Sequence, residues 1–109
     1  PEAALRDPFG LPPADPPGVT VRYRTRLTPD ELADEYRAAT ALLHLARYES
    51  FGYPLVEAAS FGTPVVATRT GIAPDLLTGE SAGLLVDGDD PTDCARGLRA
   101  AVTARPEYG

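Results

Sequence analysis

The segment Glu49-Ser-Phe-Gly-Tyr-Pro-Leu-Val-Glu57, continued by Ala58-Ala-Ser-Phe-Gly-Thr-Pro-Val-Val66, admits few folds. It sets a glycine turn before a proline-started helix, stops that helix at Gly62, and runs into an apolar strand. Glu49 and Glu57, eight positions apart, flank the turn. Such a turn leaves the first N–H groups of the helix without intrahelical partners, where an anion can take them. Carboxylates on either side can accept hydrogen bonds from hydroxyls, which sugar and ribose both carry. The segment predicts a nucleotide-sugar site.

Around it, apolar runs alternate with helical signals. Val19-Thr-Val-Arg-Tyr-Arg24 alternates apolar and polar side chains and predicts a strand with one wet face. Thr28-Pro-Asp-Glu31 holds a cap, a first-turn proline and a capping-box acid, with Leu27 and Leu32 placed as a hydrophobic staple. The helix it starts is predicted to run to about Ala39. Ala41–Leu45 reads as a strand buried on both faces, and Pro64–Ala67 as another. A helix from Pro54 to about Phe61 lies between them. One helical turn is expected within Gly71–Leu77 and a fourth strand at Gly83–Val86. Asp90 caps a last helix that opens at Pro91 and turns Ala95, Leu98 and Val102 to the core. Strands alternating with helices at this spacing predict an α/β domain with a parallel sheet.

At 109 residues the chain makes one small domain, and 43% apolar content supports a packed core. Six of the 12 prolines fall within residues 1–18, which predicts an irregular lead-in before a domain at 19–109. The formal charge is −6, with no lysine among the 10 basic residues, which argues against a nucleic-acid surface. The run Arg22, Arg24, Arg26 reads as a solvated strand face. A lone Cys94 allows no internal disulfide, and neither it nor the single His44 makes a metal site, so none is expected. No run approaches bilayer length and no secretory signal is visible, consistent with a reducing cytoplasmic setting. Attachment at the inner membrane face stays open.

The site residues each have a plainer reading. Glu57 also suits the first turns of a helix as a favourable acid, and Glu49 a solvated loop. Gly52 serves a turn as well as a close ligand approach. Phe51 and Tyr53 are implicated through their backbone, with their rings equally suited to core packing. His44 reads as a hydrogen-bonded core residue, Cys94 as packing, and Asp75 as a turn or cap residue. Arg69, after a strand end, could touch phosphate.

Taken together, Glu49–Glu57 and Gly62-Thr-Pro-Val-Val-Ala67 resemble the E-x7-E region of retaining GT-B glycosyltransferases of the large GT4-like group. The resemblance covers roughly residues 19–105. It takes in Asp30-Glu-Leu-Ala-Asp-Glu-Tyr36, the Pro74-Asp75 turn, Gly83-Leu-Leu-Val86 and the final helix. It implies a partial Rossmann-like parallel sheet with flanking helices, the C-terminal half of a GT-B fold. It also implies transfer of a sugar, with retention, from a UDP- or GDP-type nucleotide-sugar donor to a sugar, lipid or other hydroxyl acceptor, without cofactor or metal.

Carried over by position, Glu49 would contact the donor sugar as the catalytic residue and Glu57 the ribose. The donor-binding set is Glu49, Ser50, Phe51, Gly52, Tyr53 and Glu57, with Thr25 and Arg26 near the base-side wall. Thr25 stands where the family commonly has glycine, Leu45-Ala46 where it has Pro-Ser, and Ile72 where it has a second glycine. The family's upstream Arg and Lys and its acceptor domain have no counterpart here, so the missing N-terminal part of the same enzyme is the expected partner. With a 3-2-1-4-5-6 strand order, the piece would carry a gap in its sheet and be inactive and marginally stable alone. A sugar-nucleotide epimerase or phosphorylase on the same fold, and a non-catalytic nucleotide-binding or interaction module, are the alternatives.

Overall fold

The computed structural model describes residues 14–108, so most of the proline-rich lead-in lies outside the described residues. The elements run α1 (Pro29–Ala38), β1 (Leu42–His44), α2 (Tyr53–Ser60), β2 (Val65–Ala67), α3 (Ala73–Leu76), a 3-10 segment (Gly79–Leu84) and α4 (Pro91–Tyr108).

The helix ends fall where local chemistry puts them. Thr28 and Glu31 close a full capping box at the start of α1, each side chain bonding the other's backbone N–H. Helix α2 ends in a Schellman motif: Gly62 has φ 74°, its N–H reaches the carbonyl of Ala59, and the N–H of Thr63 reaches Ala58. Asp90 caps α4 by accepting from the N–H of Thr92 at 3.0 Å. Its buried face is Cys94, Gly97 and Ala101, with Leu98 partly covered, whereas Val102 is 55% exposed. The expected Val102 face is thus corrected by a small rotation toward Ala101. Gly97 allows the close fit, because a Cβ there would lie 2.5 Å from Val86 Cγ1 and 2.8 Å from Val66 Cγ1.

Strands β1 and β2 pair in parallel, with Leu42 opposite Val65 and His44 opposite Ala67. Beyond β2 the ladder continues only as a single parallel bridge from Ala67 to Leu85, so the predicted fourth strand at 83–86 shrinks to one rung. The 3-10 segment takes up the residues before it. The predicted strand at 19–24 is absent: the stretch is irregular, with Val19 turned back onto the carbonyl of Pro16 and Val21 onto the carboxylate of Asp15. A strand needs a neighbouring strand for its backbone, and no described strand pairs with this stretch. Arg24 instead pairs with Glu31 and Glu35 on α1, so the basic run is not a strand face.

The core gathers Leu55 and Ala58 from α2, all of β2, Leu84–Val86, and Cys94 and Ala101 from α4. Leu55 is fully covered, which contributes roughly 1.5–3 kcal/mol. β1 was expected to be buried on both faces, yet Leu43 is 41% exposed. One neighbour covers it where two were anticipated.

Candidate functional site

Helix α2 begins at Tyr53, one residue before the predicted start, with Gly52 as its N-cap and Pro54 in the first turn. Gly52 has φ 103°, a left-handed conformation that disfavours any side chain. A Cβ there would press on Leu55, Glu49 and Ile72 at 3.3–3.5 Å. The turn itself therefore requires glycine. Beside it the Phe51 carbonyl accepts from the N–H of Ile72 at 2.6 Å, and a Cβ on Gly71 would lie 2.4 Å from that oxygen. The Ser50–Tyr53 turn is thus latched to the loop that leads into α3.

Among the described residues, the N–H groups of Phe51, Gly52 and Tyr53 have no hydrogen-bond acceptor. They sit at the start of an eight-residue helix, where its dipole favours negative charge. Ser50 is exposed at the outer edge of the turn. Phe51 and Tyr53 touch each other with centroids 4.8 Å apart, and Tyr53 is 69% exposed. Their rings are not core.

The two acids lie at opposite ends of the turn. Glu49 Oε2 is 3.2 Å from Nε2 of His44, the last residue of β1. Its Cγ lies where side chains on Gly71 or Gly52 would go, so these glycines make room for it. The backbone of His44 is itself fixed, because its carbonyl accepts from Thr68 beyond β2. Glu57 Oε2, one turn into α2, accepts from the phenol of Tyr36 on α1 at 3.1 Å. Burial first, and the Glu57 carboxylate second, raise the Tyr36 phenol above its ordinary pKa. In each acid Oε1 makes no hydrogen bond among the described residues.

Glu57 stands at the mouth of a groove of about 340 Å³ between α1 and α2. Leu27, Pro29, Leu32 and Phe61 supply its apolar wall and Tyr36 its floor. A second, more polar cavity of about 490 Å³ opens at the strand tips, lined by Arg69, Thr68, Thr70 and an Arg47–Asp89 ion pair at 2.7 Å. Arg69 therefore faces open space beyond a strand end. Asp75 lies in the first turn of α3, a helix-start place. Among the described residues no three His, Cys, Asp or Glu side chains converge on a metal position, and no helix is long and apolar enough to cross a membrane.

Sequence reasoning located the turn and both acids but missed Tyr36 and His44 as their partners. Both contacts span a turn or two helices, and no local spacing signals them.

Parallel strands flanked by helices, with a helix-opening turn at the strand tips, make this a partial Rossmann-like domain. The chain belongs to the family described as Glycosyl transferases group 1, whose model matches residues 17–108. Among curated relatives it is similar to a D-inositol 3-phosphate glycosyltransferase of Corynebacterium jeikeium, at 49% identity over 72% of this chain and 19% of that protein. A protein of the same description from Streptomyces bingchenggensis is 45% identical over 72% of this chain and 17% of its own length. One from Nocardioides is 39% identical over 92% of this chain and 22% of that one. The chain thus spans about a fifth of the length of these relatives. No solved structure matches it.

Proposed function

We propose that this chain is part of the donor site of a glycosyltransferase that moves a sugar from a nucleoside-diphosphate-sugar to a hydroxyl acceptor with retention of configuration. The observation that carries the reading is the place of Glu57. It lines an apolar groove of about 340 Å³ between α1 and α2, one helical turn beyond a turn whose N–H groups have no acceptor among the described residues. Ribose hydroxyls donate to the open oxygen of Glu57, a charge-assisted contact. The diphosphate lies on the N–H groups of Phe51, Gly52 and Tyr53, with Ser50 beside it. The donor sugar then falls toward Glu49 at the strand tips.

Catalysis in this arrangement is mainly electrostatic: fixed dipoles hold charge on the leaving diphosphate as the sugar becomes cation-like. Glu49 faces that developing positive charge, held in direction by His44. Any cationic help that this chain itself gives the diphosphate comes from arginine, since it has no lysine, and Arg69 at the strand tips is the candidate. We place the activity in the cytoplasm. The relatives' shared description makes D-inositol 3-phosphate the first acceptor to assay.

The test uses the full-length protein carrying this segment, with UDP- and GDP-sugars. Glu57→Ala is expected to weaken donor binding at least about tenfold, the loss of one charge-assisted contact. Glu49→Ala is expected to lower turnover with a smaller change in donor affinity. Wild-type kinetics in both variants would refute the roles. Rearranged sugar nucleotide without transfer would point to the epimerase alternative, and absence of any donor binding to an interaction module.

A further inference from the structure

We infer that Tyr36 is a positioning residue of the donor site, which holds Glu57 by one oxygen and so presents the other to the ligand. The inference rests on the reading of Glu57 as the ribose contact.

The direction of control follows from how each partner is anchored. Tyr36 is 8% exposed, and its ring stacks on Phe61 with centroids 6.0 Å apart and planes 20° apart. Phe61 in turn carries the guanidinium of Arg37 over its ring at 4.7 Å. The Tyr36 carbonyl takes the hydroxyl of Thr63, just past the Schellman end of α2. Backbone and ring are therefore fixed on both helices before the phenol reaches out. Glu57 has no such support: it is exposed, and among the described residues the phenol is its only side-chain partner. An unheld glutamate on a helix surface samples several rotamers, most of them turned to water. The bond to Oε2 selects the one that faces the groove.

The choice of a phenol also fits the chemistry. It donates a single proton and carries no charge, so Glu57 keeps its full negative charge for the hydroxyls it accepts. A lysine or arginine in the same place would neutralise the carboxylate and compete with the ligand for it. Burial and the neighbouring carboxylate both raise the phenol above its ordinary pKa, which favours the protonated form that donates.

Tyr36→Phe removes the hydroxyl and leaves the ring, the stack and the Thr63 contact in place. In the full-length protein it is expected to raise donor KM about tenfold with kcat unchanged, the scale of one hydrogen bond to a charged group. Glu57→Ala supplies the control, because it removes the acceptor of the phenol as well as the ribose contact, and the double variant the decisive reading. If Tyr36 acts through Glu57, adding Tyr36→Phe to Glu57→Ala leaves donor KM where Glu57→Ala alone put it. A tyrosine that only supports packing gives the same increment in both backgrounds, tracked by thermal unfolding, and this result overturns the inference. So does wild-type donor KM in Tyr36→Phe alongside a raised KM in Glu57→Ala. A wild-type KM in Glu57→Ala itself rejects the ribose role of Glu57, and the inference falls with it.

Discussion

The two strands are each three residues long and mostly apolar, yet they live in different surroundings. β2 is buried at every position, bonded to β1 on one side and, through Ala67, to Leu85 and Val86 on the other. Among the described residues β1 has a partner on one side only, and Leu43 and, just past its end, Leu45 remain 41% and 37% exposed. Because backbone groups alternate along a strand, the N–H and C=O of Leu43 turn toward the open edge. Composition thus says what a strand can bury; the number of neighbours decides what it does bury. The candidate site hangs from the less covered strand. His44 ends β1, and the turn from Glu49 to Tyr53 follows it.

The largest expected effect sets the two strands directly against each other. In the full-length protein, Val66→Asp would place an unpaired carboxylate in the core and cost several kcal/mol, about 3 or more. Leu43→Asp would cost well under half as much if its edge stays open. Urea unfolding of both variants checks this, and equal losses would break the contrast. A strand supplied by the rest of the full-length protein is the way such equality would arise.

That possibility gives a second, smaller effect. If the rest of the full-length protein covers this edge, amide exchange at Leu43 is at least about tenfold slower there than in this chain alone, with Val66 little changed. No gain at Leu43 would mean that β1 is a true edge, one whose exposure has to be managed against aggregation.

The smallest effect belongs to the helix that walls the groove. Glu31 is held below its ordinary carboxylate pKa, first by the N–H of Thr28, then by its hydroxyl, with Arg24 adding attraction. Asp93 at the start of α4 is lowered likewise, first by Arg96 and then by the N–H of Asp87. Depressed folded-state values add stability above the unfolded pKa, near 4.5 for Glu31 and 3.8 for Asp93, and lose it as pH falls through the folded values. Glu31 is exposed and Asp93 partly so, which keeps the change modest. Urea midpoints between about pH 6 and about pH 3 should fall less steeply in Glu31→Gln than in the parent.

How much of this was legible in the sequence depends on how far apart the determining residues lie. Helix ends were readable because Thr28 with Glu31, Gly62, and Asp90 with Pro91 act within a turn of themselves. The strand at 19–24 and the fourth strand were overestimated, since alternation reports a preference and pairing needs a neighbour. In the site, Gly52 and the flanking acids came from local pattern. Their partners did not: Tyr36 meets Glu57 across 21 positions, and His44 reaches Glu49 around a loop. A phenol on one helix meeting a carboxylate on another is a property of packing, which a linear reading lacks.

Cys94 lies on the buried face of α4, 8% exposed, with its sulfur 3.4 Å from the carbonyl of Asp87. As the only cysteine in the chain, it makes α4 its own reporter. A disulfide-exchange reagent reaches that thiol only when the last helix lifts from the sheet, so the labelling rate times the lifting without any engineered probe. Run with and without nucleotide, the same chemistry reads whether occupancy of the distant groove tightens the far side of the domain.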